Sequence, residues 1–194
     1  MKKIALVIAV ALASLNSAQA QSQEPANPMR FFVGMGLTHG GDKLADVQYT
    51  DGTNVSITTG DLVAFNAGID YQVTPEFSFQ GSIGYHGDNA SAENGSMRFQ
   101  RYPVELLAYY QVAPQWRVGG GVRYVTGAKF TSSGAAYVGN YSFKGNVGAI
   151  IEGEYLVGNH WGFKLRYVSE KVTEKISGTK LDANHVGVYG NYYF

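Results

Sequence analysis

The chain has 194 residues with 15 basic and 15 acidic side chains and no cysteine, a length that suits one domain. Zero net charge argues against a nucleic-acid binder, which would be basic, and the missing thiols exclude a disulfide framework, a thiolate metal site and a cysteine nucleophile. Charged residues make up only 15% of the chain, while glycine reaches 25 residues and Tyr and Phe together 24.

In chain order, the first feature is an address. Lys2 and Lys3 precede an apolar run from Ile4 to Leu15, and Ala18-Gln19-Ala20 then supplies the small-x-small pattern read by signal peptidase. The apolar run is too short to span a bilayer as a helix. Residues 1–20 are therefore expected to be a cleaved signal peptide, with Ala18 and Ala20 marking the cleavage site. The mature chain would carry 13 basic against 15 acidic groups, a net charge of −2. Residues 21–29, with Pro25 and Pro28, read as a flexible leader, and 30–194 as the folded domain.

From Arg30 onward the dominant period is two, which means β-strand. Eight segments alternate: Phe31–Leu37, Val63–Val73, Phe77–Tyr85, Tyr102–Val112, Trp116–Tyr124, Val147–Val157, Trp161–Tyr167 and Val186–Phe194. Their apolar set comprises 41 positions, none of them charged. On the intervening positions ionisable groups of both signs share the face with many glycines; they include Asp70, Glu105, Arg117, Arg123, Glu152, Glu154, Lys164 and Arg166. Three connections are tight, at residues 74–76, 113–115 and 158–160; residues 38–61, 87–98, 126–141 and 170–184 read as long polar loops. Within the first loop, alternation around Asp51-Gly52 predicts a projecting hairpin over 44–59.

This pattern selects an all-β fold, an eight-stranded antiparallel up-and-down transmembrane barrel. Alternating short and long connections, an even strand count and a polar inner face are the plan of a barrel in an outer membrane. Segment two has the length of a tilted spanning strand, and closure removes the edges that hydrocarbon would leave unpaired. A secreted β-sandwich would also alternate, but it gives no reason for glycines on its wet face or for Tyr and Trp at strand ends. Pro103, which cannot donate to a ladder, is expected near the rim of the fourth strand, at a bulge.

These residues resemble the small eight-stranded outer-membrane β-barrel family, the OmpA-like transmembrane domain and its porin-like relatives. The C-terminus Gly190-Asn-Tyr192-Tyr-Phe194 is similar to the terminal signal read by the barrel-assembly machinery, with its glycine one place off the family spacing. The resemblance implies a Gram-negative outer membrane, periplasmic termini and extracellular long loops. Outer-membrane lipids and lipopolysaccharide are then the surroundings, and the assembly machinery the partner during biogenesis.

Eight strands enclose an interior that side chains can fill. The inward cations Arg101, Arg117, Arg123, Lys144, Lys164 and Arg166 face Asp70, Glu105, Glu152, Glu154 and Glu170, and unpaired charges there would be costly. The expected result is a lumen plugged by ion pairs, with Glu105, Arg123, Glu152 and Arg166 at its centre; a narrow conduit is the alternative. A lipid A-modifying enzyme is a third reading: Ser169 and Glu170 end the strand before His185, although the His-x-Ser pair of the deacylase type is missing. No catalytic residue, cofactor or metal ligand is assigned. His39, His86 and His185 read as separate, solvated histidines at strand ends. The loops remain for host-surface, phage or phosphate ligands, with Lys129, Lys171 and Lys175 available for the last.

Overall fold

A computed structural model describes residues 28–48, 54–92 and 95–194. Residues 1–27, which hold the signal peptide with Ala18 and Ala20 and most of the leader, and the Asp51-Gly52 turn lie outside the described residues, while Met29, expected in the leader, opens the first strand.

Thirteen strands occur among the described residues. They are β1 (Met29–Gly40), β2 (Lys43–Gln48), β3 (Asn54–Thr58), β4 (Leu62–Gln72), β5 (Phe77–Ala92), β6 (Gly95–Ala113), β7 (Trp116–Gly134), β8 (Tyr141–Ser142), β9 (Asn146–Val157), β10 (Trp161–Ser169), β11 (Lys171–Thr173), β12 (Lys180–Asp182) and β13 (His185–Tyr193). Eight of them close into one barrel, in the order β1, β4, β5, β6, β7, β9, β10, β13. Each neighbouring pair is antiparallel, and β13 returns to β1 through a register that sets Gly34 opposite Asn191. The remaining strands form two small ribbons, β2–β3 and β11–β12, and the short β8 beside β7.

The outer wall follows the period-two pattern. None of the 41 apolar positions is buried by the protein itself. Leu37, Leu106, Val147 and Leu165 are 57–69% exposed. So large an apolar surface is stable only against hydrocarbon. Tyr and Trp sit at its edges, with Trp116 packed on Tyr155 and Trp161 on Tyr192 at the tight-turn end.

The inner wall is narrow because glycines let aromatic rings lie flat across it. Gly119 is the register partner of Tyr109, and Gly36 of Tyr189. A Cβ on Gly119 would come 2.6 Å from the Tyr109 ring, and one on Gly36 would come 2.4 Å from that of Tyr189.

The segments expected as loops at 87–98 and 126–141 differ from that reading. The β5–β6 ladder continues to Ala92 opposite Gly95, and β6–β7 continues to Gly134. Above the belt the pattern inverts. Inward-facing Met97, Phe99, Ala128 and Phe130 are apolar, while outward Arg98 and Lys129 meet solvent. These residues join Ile57, Phe143, Val172 and Ala183 in an apolar cluster that seals the long-hairpin end. Period two persists there with the opposite face apolar, so strands that look polar are mistaken for loops. The 44–59 hairpin exists as β2–β3. Pro103 points inward beside a register shift between Gln100 and Tyr102.

Candidate functional site: the lumen and its cap

The lumen is filled by a stack of charged and hydroxyl side chains, described here from the tight-turn end. Arg117, at the start of β7, donates through Nε to Glu154 at 2.6 Å and through Nη1 to Asp70 at 3.0 Å. Its remaining donors reach Ser78 Oγ at 3.0 Å and the Tyr193 hydroxyl at 2.8 Å. Arg30 donates to Asp70 at 2.5 Å, and Tyr193 donates to Glu154 at 2.5 Å. The Arg117 guanidinium carbon lies 4.2 Å from the Tyr109 ring centroid, a cation–π contact.

One layer further in, Lys164 Nζ pairs with Glu152 Oε1 at 2.9 Å and donates to Gln80 at 2.7 Å. The Tyr109 hydroxyl donates to the same Glu152. Arg166 then bridges two carboxylates, donating to Glu152 at 2.5 Å and to Glu105 at 2.7 Å. Arg123 stands 3.7 Å from Glu105 and 3.1 Å from Glu170. All eight residues expected in the network, Asp70, Glu105, Arg117, Arg123, Glu152, Glu154, Lys164 and Arg166, are thus placed in the lumen and buried. They come together because in-register neighbours present opposite charges: Arg117 faces Glu154, Lys164 faces Glu154 and Arg166 faces Glu152 across adjacent strands.

Arg101 and Glu170 complete the stack as a buried ion pair. Five cations (Arg101, Arg117, Arg123, Lys164, Arg166) and five anions (Asp70, Glu105, Glu152, Glu154, Glu170) therefore occupy buried positions. The crevice between His86, Glu105, Arg123 and Arg166 has room for about one water molecule.

Three expectations need correction. Lys144 is exposed, not luminal, because residues 143–145 belong to the cap and β9 begins only at Asn146. His86 and His185 are buried and share one cluster, with ring centroids 5.1 Å apart. Their strands are not adjacent in the sheet, but the barrel is narrow enough for side chains from opposite walls to meet. Arg101 donates to His86 Nδ1, so His86 Nε2 carries the proton toward the Asp61 carbonyl at 3.2 Å and Thr38 Oγ1 at 2.8 Å. His39 alone is exposed, 2.9 Å from Asp61. Ser169 faces outward while Glu170 faces the lumen, so Ser169, Glu170 and His185 do not form one site.

Within the C-terminal motif, Gly190 lies between Met35 and Phe163 on the outer wall. The Tyr192 ring packs between Trp161 and Phe194, and the Phe194 amide donates to the Phe31 carbonyl at 2.9 Å. The feature that sequence reading missed is the apolar cap. Part of its signal was available: Met97 and Phe99 alternate on the parity opposite to the β6 belt, whereas in β7 an extra residue at Thr126-Gly127 turns the belt's own parity inward and buries Ala128 and Phe130.

Comparison with known proteins follows from this geometry. The family model described as outer membrane protein beta-barrel domain matches residues 8–194. Among solved structures, Ail, the attachment invasion locus protein of Yersinia pestis, is 11% identical with a TM-score of 0.55, covering 86% of this chain and 97% of its own. A second Ail structure, in complex with the heparin analogue sucrose octasulfate, is 12% identical with a TM-score of 0.56 and the same coverage. The Neisserial surface protein A is 10% identical with a TM-score of 0.49, covering 88% of this chain and 100% of its own. No curated protein matches the sequence.

Proposed function

Because the chain belongs to the outer membrane protein β-barrel domain family, we propose that this outer-membrane barrel is a non-enzymatic surface protein, its lumen closed and its cap the part that acts. The observation that carries this reading is the filled interior: in the luminal stack five buried cations meet five buried anions, and an apolar cluster lies across one end. A conduit needs a continuous wet path, and a ring of matched, mutually bonded side chains has no free charge to offer a passing ion.

In this reading residues 1–20 are removed after Ala20 and the barrel-assembly machinery recognises the segment ending at Tyr192 and Phe194. Both termini face the periplasm, and the cap faces the medium, with outer-membrane lipids and lipopolysaccharide around it. Cap residues Tyr137, Val138, Tyr141 and Ile176 leave 43–93% of their surface exposed, which supports contact with host surfaces or phage.

The test is a loop-replacement series on expressing cells. The β2–β3 ribbon, the β11–β12 ribbon and residues 135–140 are each replaced by a short Gly-Ser turn. Heat-modifiable migration on a gel certifies that each variant folds, and adherence is then scored. Loss of adherence with at least one replacement is the expected result; unchanged adherence across folded variants sinks the surface-interaction role.

A further inference from the structure

Of the seven lysines among the described residues, Lys43 pairs with Asp46 and Lys164 lies in the lumen. The other five, Lys129, Lys144, Lys171, Lys175 and Lys180, are all exposed, and among the described residues none forms an ion pair. They are scattered over 52 positions of sequence. The cap gathers them onto one surface.

The gathering follows from strand register. Lys129 of β7 is opposite Ser142 of β8. The chain then continues to the Phe143–Glu174 bridge, where Lys175 N donates to Ser142 O at 2.9 Å and Lys144 N donates to Thr173 O at 2.8 Å. Thr173 in turn is opposite Lys180, and Lys171 opposite Asp182. Two rows result, Lys129–Ser142–Lys175 and Lys144–Thr173–Lys180, each with a hydroxyl between two ammonium groups. Adjacent strands are about 4.8 Å apart, so the two lysines of a row are rooted about 10 Å apart. The opposite face of this small sheet is apolar: Ala128, Phe130, Phe143, Val172 and Leu181 pack into the cap cluster.

Nearby acids leave the two rows without an ion-pair partner among the described residues. Glu170 is bound by Arg101 in the lumen. Glu174 points to the inner side and accepts from the Ile176 and Ser177 amides. Asp182, opposite Lys171, and Asp42, which accepts from the Asp182 amide at 2.7 Å, lie at the Lys171 edge, outside the two rows.

The direction of the face selects the partner. Tyr167, Ser169 and Lys171 are successive outward positions on one stretch of chain, and Lys129 follows Tyr124 on the outward side of β7. The lysines thus continue the hydrocarbon-facing wall, Lys171 lying about 13 Å along the strand direction beyond Tyr167 at ~3.3 Å per residue. What lies beside them is the headgroup layer of neighbouring lipid, and not bulk solvent above the barrel.

We propose that the lysine–hydroxyl grid on β7, β8, β11 and β12 binds the phosphate groups of an outer-leaflet glycolipid, holding one phosphorylated headgroup against the flank of the cap. Each phosphate takes charge-assisted hydrogen bonds from lysines of a row and a hydroxyl donor between them. This rests on the cap facing the medium, as proposed above.

The experiment uses the full mature chain refolded in dodecyl maltoside micelles, titrated with bisphosphorylated lipid A and followed by native mass spectrometry. Wild type retains one lipid A. Lys129→Gln/Lys144→Gln/Lys175→Gln weakens retention about a hundredfold, the factor expected for three charges near an anionic surface. Lys43→Gln leaves it unchanged, and lipid A stripped of both phosphates is not retained.

Equal retention by the triple variant, or of the dephosphorylated lipid, overturns the proposal. So does lysine-dependent retention of heparin oligosaccharide without retention of lipid A, which would make the partner a soluble polyanion. If the triple variant fails to show heat-modifiable migration, amine acylation of the wild type decides. Lipid A must protect Lys129, Lys144 and Lys175 relative to Lys43, and equal labelling refutes the site. Orientation is read separately, by labelling the same lysines on intact cells, so its failure is distinguishable from absence of the site.

Discussion

Arg117→Met removes the cation at the tight-turn end of the luminal stack while keeping an unbranched side chain of comparable length. Two buried carboxylates lose their principal partner, but neither is wholly abandoned. Asp70 keeps Arg30 at 2.5 Å, and Glu154 keeps the Tyr193 hydroxyl at 2.5 Å with Lys164 at 3.9 Å. Breaking a buried pair by removing one partner costs about 3–5 kcal/mol, and the surviving contacts place this case at the lower end, about 3 kcal/mol. Urea unfolding in phospholipid vesicles measures it, with Trp116 and Trp161 as reporters at the same end of the barrel. Adding Asp70→Asn should recover part of the loss, since one of the stranded charges is then gone, giving a coupling above about 0.5 kcal/mol. A single-variant loss under about 1 kcal/mol, the range of solvated surface pairs, would refute the picture of a desolvated, mutually dependent stack.

Gly119→Val should destabilise by about 1–3 kcal/mol and slow folding into vesicles, because its Cβ meets the Tyr109 ring; wild-type kinetics would mean the ring is free to move. Leu62 holds φ at 86°, where only glycine is relaxed, so Leu62→Gly should raise stability by about 1 kcal/mol in the same urea titration. Leu106→Arg on the belt should cost about 2–4 kcal/mol in vesicles, whereas Ser133→Arg on the exposed cap should stay within about 0.5 kcal/mol; equal costs would contradict the assignment of the outer wall.

The Ile176 and Ser177 amides hold the Glu174 carboxyl below its ordinary value. Its contribution is therefore complete above the unfolded value near 4.3 and is lost as pH falls through the lowered folded value. Protection factors of the amides at residues 176–179, which remove the intrinsic pH dependence of exchange, should fall on that acid limb in wild type and stay constant there in Glu174→Gln. A pH-dependent response in the variant would assign the effect elsewhere.

The barrel is legible in the sequence because lipid and lumen impose opposite chemistry on alternate residues: no position from Trp161 to Tyr167 breaks that rule, and from Phe31 to Leu37 only the inward Phe32 does. The ion pairs are legible in composition, and half-legible in pairing. Arg117 with Glu154 and Arg166 with Glu152 are register neighbours. Arg101 with Glu170 and Arg117 with Asp70 cross the lumen, and sequence alone says nothing about which side chains a narrow cylinder brings face to face. His86 and His185 were misjudged for that reason. The cap was missed for a different one. Once a strand leaves the belt its apolar face turns from lipid to protein: Phe99 does so by reversing the sign of the β6 alternation, and Phe130 by an extra residue at Thr126-Gly127 that turns the β7 belt parity inward.

The most direct test of a closed lumen is current through a planar lipid bilayer containing the refolded, heat-modifiable protein. Wild type should give no sustained conductance above the bare membrane at moderate voltage. Arg166→Ala, which removes the bridge between Glu105 and Glu152 at mid-lumen and leaves Glu105 with Arg123 alone at 3.7 Å, should admit brief cation-selective openings. Sustained, ion-selective conductance from the wild type would contradict the account at its centre.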